Sequence, residues 1–171
     1  MNTSEHQNDR IGVLFICLGN ICRSPAAEAV FRHLVESRGT AGRFLIDSAG
    51  LISLHEGEKS DPRMISRAHA RGIEMTSISR PIQPADFERF DYIVGMDNSN
   101  MEKLTELKAA LPHAEAKTAD LLKFSDFCRI HECDMVPDPY FGGYEGFEYA
   151  LDLIEDAAEG YYDFLRQRHS L

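Results

Sequence analysis

The chain alternates short, nearly unbroken apolar runs with longer stretches in which apolar residues recur every three or four positions. The first run, residues 11–17 (IGVLFIC), is rich in β-branched side chains and predicts a strand buried on both faces. Gly19 and Asn20 break it. Ser24-Pro25 then opens a helix that continues through Ala29, Val30 and Leu34 to about Ser37, with Gly39 ending it. Residues 43–48 (RFLIDS) predict a second strand, and Asp61-Pro62 starts a helix through Met64, Ile65 and Ala68 that stops near Gly72. Residues 91–96 (DYIVGM) predict a third buried strand. A helix from about Ser99 carries Met101, Leu104 and Leu107 ahead of Pro112, and a fourth strand falls near residues 119–122. The last helix has the clearest stripe, with Phe147, Leu151, Ile154, Ala158, Tyr161 and Leu165 on one face. It starts acidic and ends with Arg166 and Arg168, as the helix dipole favours.

Strands that alternate with helices predict the α/β class with a parallel sheet, in which ligands bind beyond the carboxyl ends of the strands. The loop leaving strand 11–17 is therefore the first candidate site. The 171 residues fit one domain: residues 1–9 as a polar, flexible lead-in and residues 10–171 as the folded unit. No apolar run is long enough to cross a membrane, and the first residues lack the apolar stretch of a secretory signal. The expectation is a cytoplasmic protein with no membrane partner, export without a signal and the oligomeric state being left open. Eighteen basic against 28 acidic residues give a formal charge of −10, which argues against a nucleic-acid partner. Any positive potential for an anionic substrate must then be local. With four cysteines in a chain of this length, reduced or reactive thiols are expected rather than two disulfides.

The candidate loop reads Cys17-Leu18-Gly19-Asn20-Ile21-Cys22-Arg23-Ser24-Pro25. Its backbone N–H groups have no ladder to join, so if they converge they form an anion cradle at a helix N-terminus. Gly19 and Asn20 suit the left-handed angles such a loop needs. Arg23, six residues after Cys17, can fold back and hold two oxyanion oxygens. The same field favours the thiolate of Cys17. Ser24 is able to donate a hydrogen bond to that sulfur. A strand-end thiol and a surface arginine give this spacing by chance too; the strand-loop-helix junction is what favours chemistry. No glycine-rich NTPase loop is present.

CLGNICRSP resembles the signature of the low-molecular-weight protein tyrosine phosphatases. Asp47-Ser48-Ala49-Gly50, Asp61-Pro62-Arg63, Met96-Asp97 with Ser99-Asn100, and Asp138-Pro139-Tyr140 recur there in the same order, so the resemblance covers about residues 11–168. It implies a four-stranded parallel sheet with helices on both faces, no cofactor, no metal and a phosphotyrosine-bearing protein as substrate. Cys17 is the implied nucleophile, passing through a phosphocysteine, and Arg23 the phosphate clamp. Leu18, Gly19, Asn20, Ile21, Cys22, Arg23 and Ser24 form the implied phosphate loop. Asp138, in a segment stiffened by Pro137 and Pro139, is the implied general acid, then base; a turn aspartate capping the next helix is the plainer alternative.

The same resemblance implies that Asn20, Ser24 and Ser48 brace the loop. Where relatives carry a histidine in that network, Ser77 aligns. Tyr140, Leu54 and Phe141 are the implied substrate walls; Leu54 stands where many relatives have an aromatic residue, and Phe141 where many have a second tyrosine. Ile21 stands where phosphoarginine-specific relatives tend to have threonine. Cys22 is a redox candidate, since relatives with this pair form a reversible disulfide to the nucleophile; a packed thiol is the alternative. Asp97 is expected to be scaffold. Cys128, His131 and Cys133 fall short of the convergent ligand set a metal needs and are expected in a loop or helix ahead of Asp138. His55, His69 and His113 are expected as isolated surface residues. Arsenate reduction on the same scaffold, with Cys128 and Cys133 as relay thiols, and a non-catalytic phosphate-binding module are the competing functions.

Overall fold

The computed structural model describes residues 9–112 and 118–171; His113 lies outside them, as do residues 1–8 of the expected lead-in. Four strands, β1 (Ile11–Cys17), β2 (Phe44–Gly50), β3 (Tyr92–Gly95) and β4 (Asp120–Lys123), form one parallel sheet in the order β2-β1-β3-β4. Helices α1 (Arg23–Ser37), α2 (Pro62–Ala70), α3 (Asp86–Arg89), α4 (Asn98–Ala109) and α5 (Tyr144–His169) connect and cover it. The sequence rhythm predicts every strand to within two residues at either end. It does not predict α3, whose four residues are too few for any period to register.

β1 explains why its sequence is apolar throughout. Ile11, Val13, Phe15 and Cys17 face the core shared with α1 and α5, while Leu14 and Ile16 face the smaller core with Phe87, Phe90 and Leu104. A central strand with helices on both sides has no wet face. The larger core is built on rings: Tyr161 of α5 lies within 6.4 Å, centroid to centroid, of Phe15, Phe31, Tyr92, Phe124, Phe127 and Phe164. Such contacts add specific edge and stacking terms to the area buried.

Two helix starts show local design. Asp61 caps α2, accepting from the Arg63 N–H, with Pro62 in the first turn. Asp97 caps α4, accepting from Asn100 N–H at 2.7 Å. Asp156, within α5, does a related task. Its carboxylate accepts from the N–H groups of Arg129, Ile130 and His131 and from the His131 ring, tying the segment after β4 down on α5.

Burial alone would raise the Asp156 pKa, but those bonds overrule it and hold the group at about 2. A lowered folded-state value means stability that is present above the ordinary carboxylate range and lost as pH falls through the folded value. The Asp156→Asn variant is expected to lose up to about 2 kcal/mol at neutral pH. Its deficit against wild type should shrink between about pH 4 and pH 2 in urea-unfolding series. A deficit that does not change with pH would contradict the assignment.

Candidate active site

β1 delivers Cys17 to the carboxyl edge of the sheet, and the chain turns at once into residues 18–22 and the start of α1. The direction of the peptide groups in this turn is set by what holds their oxygens. The carbonyls of Cys17 and Leu18 accept from the N–H groups of Leu51 and Ile52, that of Ile21 from Asp61 N–H, and that of Cys22 from Ala26 N–H. The Gly19 carbonyl accepts from Ser79 Oγ. Among the described residues, the N–H groups of residues 19–23 donate to nothing. With those oxygens held elsewhere, the N–H groups of residues 19–23 stay free, as an anion cradle requires.

Asn20 fixes this turn. Its φ of 56° makes it the one left-handed residue in the loop; Gly19, expected to share that conformation, does not. The side-chain amide donates to Ser24 Oγ at 2.8 Å and Ser48 Oγ at 3.0 Å, and its oxygen accepts from Arg80 N–H at 3.1 Å. Ser48 in turn donates to Glu28 Oε1 at 2.7 Å, and Glu28 is held by Arg32. Gly50 lets β2 come this close: a Cβ there would sit 3.0 Å from the Leu18 carbonyl and 3.1 Å from Asn20 Cβ. Asn20, Ser24 and Ser48 thus meet in one buried network, whereas Ser77 takes no recorded part. The bracing on that side comes from Ser79 and Arg80, two and three residues on, and from Glu28.

Cys17 Sγ lies 3.0 Å from Ser24 Oγ. Arg23 is 3% exposed, and its Nη1 donates to Asp97 Oδ2 at 2.6 Å and to the Val136 carbonyl at 3.0 Å. Its Nη2 stands 3.7 Å from Asp138 Oδ2 and, with Nε, remains to grip an anion. Asp97 is therefore the anchor of the arginine as well as the cap of α4.

Asp138 is carried by a loop held to α2. Arg63, clamped by Asp61, donates to the carbonyls of Tyr140 and Gly142 at 2.9 and 3.3 Å, and its guanidinium lies over the Phe147 ring. The bond from Arg63 holds the Asp61 carboxyl below its ordinary range. Because Asp61 N–H also binds the Ile21 carbonyl, the loop that carries Asp138 and the loop after Cys17 share one fixed point.

The cleft has a volume of about 180 Å³. Cys17, Arg23 and Asp138 line it together with Leu54, Tyr140 and Phe141. Asn20 and Ser24 lie behind it, fully buried. Leu54 and Phe141 are rim residues, 73% and 94% exposed, while Tyr140 at 37% is the more enclosed wall. His55, expected as an isolated surface residue, is instead a wall: it lines the cleft, stands where a Cβ on Gly19 would meet its ring, and is held by Glu58 at 2.7 Å. His69 is exposed and paired with Glu74. Cys22 is buried, and burial, then the Asp61 carboxylate, push its thiol well up from its ordinary value. Among the described residues no cluster suits a metal: Cys128 and Cys133 meet, but His131 turns to Asp156.

An amide cradle with a thiol at its floor and a guanidinium at its side, at the edge of a doubly covered parallel sheet, defines a phosphatase of the cysteine type. The chain belongs to the low molecular weight phosphotyrosine protein phosphatase family, whose model matches residues 12–170. A phosphatase of that name from Schizosaccharomyces pombe is 41% identical over 80% of this chain and 85% of its own length. A protein tyrosine phosphatase from Entamoeba histolytica, solved with Hepes in its active site, superposes with a TM-score of 0.84 at 40% identity, covering 94% of this chain and 99% of that one. The Drosophila arginine phosphatase superposes with a TM-score of 0.84 at 34% identity, covering 90% and 97%.

The brace can be separated from the strain. Asn20→Gly keeps the left-handed turn but removes the bonds, and is expected to lose about 1–3 kcal/mol of stability. Asn20→Ala removes the bonds and opposes the turn, and should lose about 1 kcal/mol more. Urea unfolding checks both. Equal losses would mean the turn carries no strain.

Proposed function

We propose that this chain hydrolyses phosphotyrosine in proteins through a phosphocysteine intermediate. The observation that carries the reading is the set of unpaired amides of residues 19–23 in the loop that leaves Cys17 in the cleft. In the first step Cys17 Sγ attacks phosphorus, and Asp138 gives its proton to the leaving phenolic oxygen. In the second, Asp138 takes a proton from a water that attacks the phosphocysteine, and the thiolate leaves. The amides and Arg23 hold the equatorial oxygens in both steps. Ser24, at 3.0 Å from the sulfur, steadies it as nucleophile and leaving group.

The proposed aryl slot lies between Tyr140, Leu54 and His55, with Phe141 at the mouth. Ile21, at 9% exposure, keeps an apolar contact where a substrate guanidinium would want a polar one, which favours phosphotyrosine over phosphoarginine. The arsenate reading has little support: neither Cys128 nor Cys133 lines the cleft. A non-catalytic module is disfavoured because nucleophile, clamp and acid share one cleft. No described helix is long and apolar enough to cross a membrane, and the four thiols are free, which fits a reducing cytoplasm.

Turnover of phosphotyrosine, phosphoserine and phosphoarginine peptides tests the substrate class, with phosphotyrosine expected to be preferred. Asp138→Ala is expected to slow phosphotyrosine about 10²–10⁴-fold and to slow an aryl phosphate with an acidic leaving group far less. A uniform loss across leaving groups would remove Asp138 from the acid role, and turnover surviving Cys17→Ser would remove the thiol mechanism.

A further inference from the structure

We propose that Cys128 and Cys133 form a second oxidisable site, a dithiol that closes into an intrachain disulfide with a hydroperoxide and reopens with thiol reductants, without help from Cys17. The two sulfurs stand 3.4 Å apart in the segment between the 3-10 turn Phe124–Phe127 and the loop that carries Asp138. A disulfide requires them to close by roughly 1.4 Å.

The contact is built by the backbone. Cys128 N–H binds the Ser125 carbonyl, and the next three N–H groups are gathered on the Asp156 carboxylate, which forces the turn that brings residue 133 back to residue 128. Cys128 itself lies on α5, its sulfur 3.6 Å from the Leu153 carbonyl. The chain is fixed again at Val136, whose N–H binds the Met96 carbonyl. Among the described residues, the N–H groups of residues 132–135 make no bond, so this is the one stretch of the run that a covalent link would newly restrain.

Two other readings of the pair fail. A metal would need further ligands, and the nearest imidazole, His131, is turned to Asp156. A relay with the catalytic thiol would need the pair in the cleft, which it does not line.

The chemistry balances with a hydroperoxide as oxidant. Both cysteines are half-buried, and Cys133, between exposed Glu132 and Asp134, is assigned the first attack. Its thiolate attacks the peroxide oxygen, giving a sulfenic acid and releasing alkoxide, or hydroxide from hydrogen peroxide. The Cys128 sulfur, losing its proton, then attacks the Cys133 sulfur and expels hydroxide, which leaves as water. Two thiols and one hydroperoxide become one disulfide, one alcohol (or water) and one water. Burial and the neighbouring Cys133 push the Cys128 thiol up from its ordinary value, which keeps it protonated as the second, resolving partner. The link would staple the run that leads to Val136, whose carbonyl holds Arg23, and on to Asp138.

Trypsin cuts after Lys123 and Arg129, so the two cysteines leave in different peptides and only a disulfide keeps them joined. The wild-type chain is treated with hydrogen peroxide, its free thiols are alkylated under denaturing conditions, and the unreduced digest is mapped by mass. The Cys128–Cys133 linked pair is expected to accumulate, to vanish with dithiothreitol and to persist in Cys17→Ser. In Cys133→Ser, Cys128 should stay alkylatable, while turnover of an aryl phosphate by the reduced protein should match wild type. The proposal is overturned if both peptides are alkylated after peroxide, if Cys133 is recovered as sulfinic or sulfonic acid without linkage, or if the pair fails to form in Cys17→Ser.

Discussion

Leaving five consecutive amides without protein partners is costly unless the oxygens of the same turn are held elsewhere. That constraint organises the site. Five of the six carbonyls from Cys17 to Cys22, all but that of Asn20, are taken by β2's exit, by Ser79, by the cap of α2 and by the first turn of α1. Asn20, left-handed and triply bonded, locks the result. The positive potential that a chain of formal charge −10 needs for an anionic substrate is therefore supplied by main-chain dipoles and one buried arginine, not by a basic surface.

The same economy of position links the loops. Asp61 binds the phosphate loop with its backbone N–H and Arg63 with its carboxylate, and Arg63 holds the acid loop at Tyr140 and Gly142. Arg23 is anchored at Asp97 and Val136, one residue on β3's exit and one on the way to Asp138. Cys17 and Arg23 come from one turn and Asp138 from a distant loop, and their spacing depends on these few bonds rather than on the intrinsic stiffness of either loop.

The rhythm of apolar residues made the strands and long helices legible, because burial on two faces or one writes directly into the order of side chains. The unbroken run at residues 11–17 is the plainest case. The chemistry of the loop was also legible, since Cys17 and Arg23 lie within one local turn. What the sequence could not supply was partners separated by long stretches of chain. Glu28 looks like an ordinary helix residue until Ser48 arrives beside it. Ser79 and Arg80 carry no motif, and alignment, which counts residues and not hydrogen bonds, points only to Ser77 at that place in the network. His55 looked isolated because Glu58 and the Gly19 backbone become its neighbours only after the chain between β2 and α2 folds over the cleft.

A crystal structure of the protein with orthovanadate at the site tests the central claim most directly. The account predicts vanadium bonded to the sulfur of Cys17. Its oxygens should lie within hydrogen-bond distance of the N–H groups of residues 19–23 and of Nε and Nη2 of Arg23, with Asn20 still left-handed. Vanadate bound away from the sulfur, or a loop whose amides point elsewhere with Arg23 turned from the anion, would contradict it.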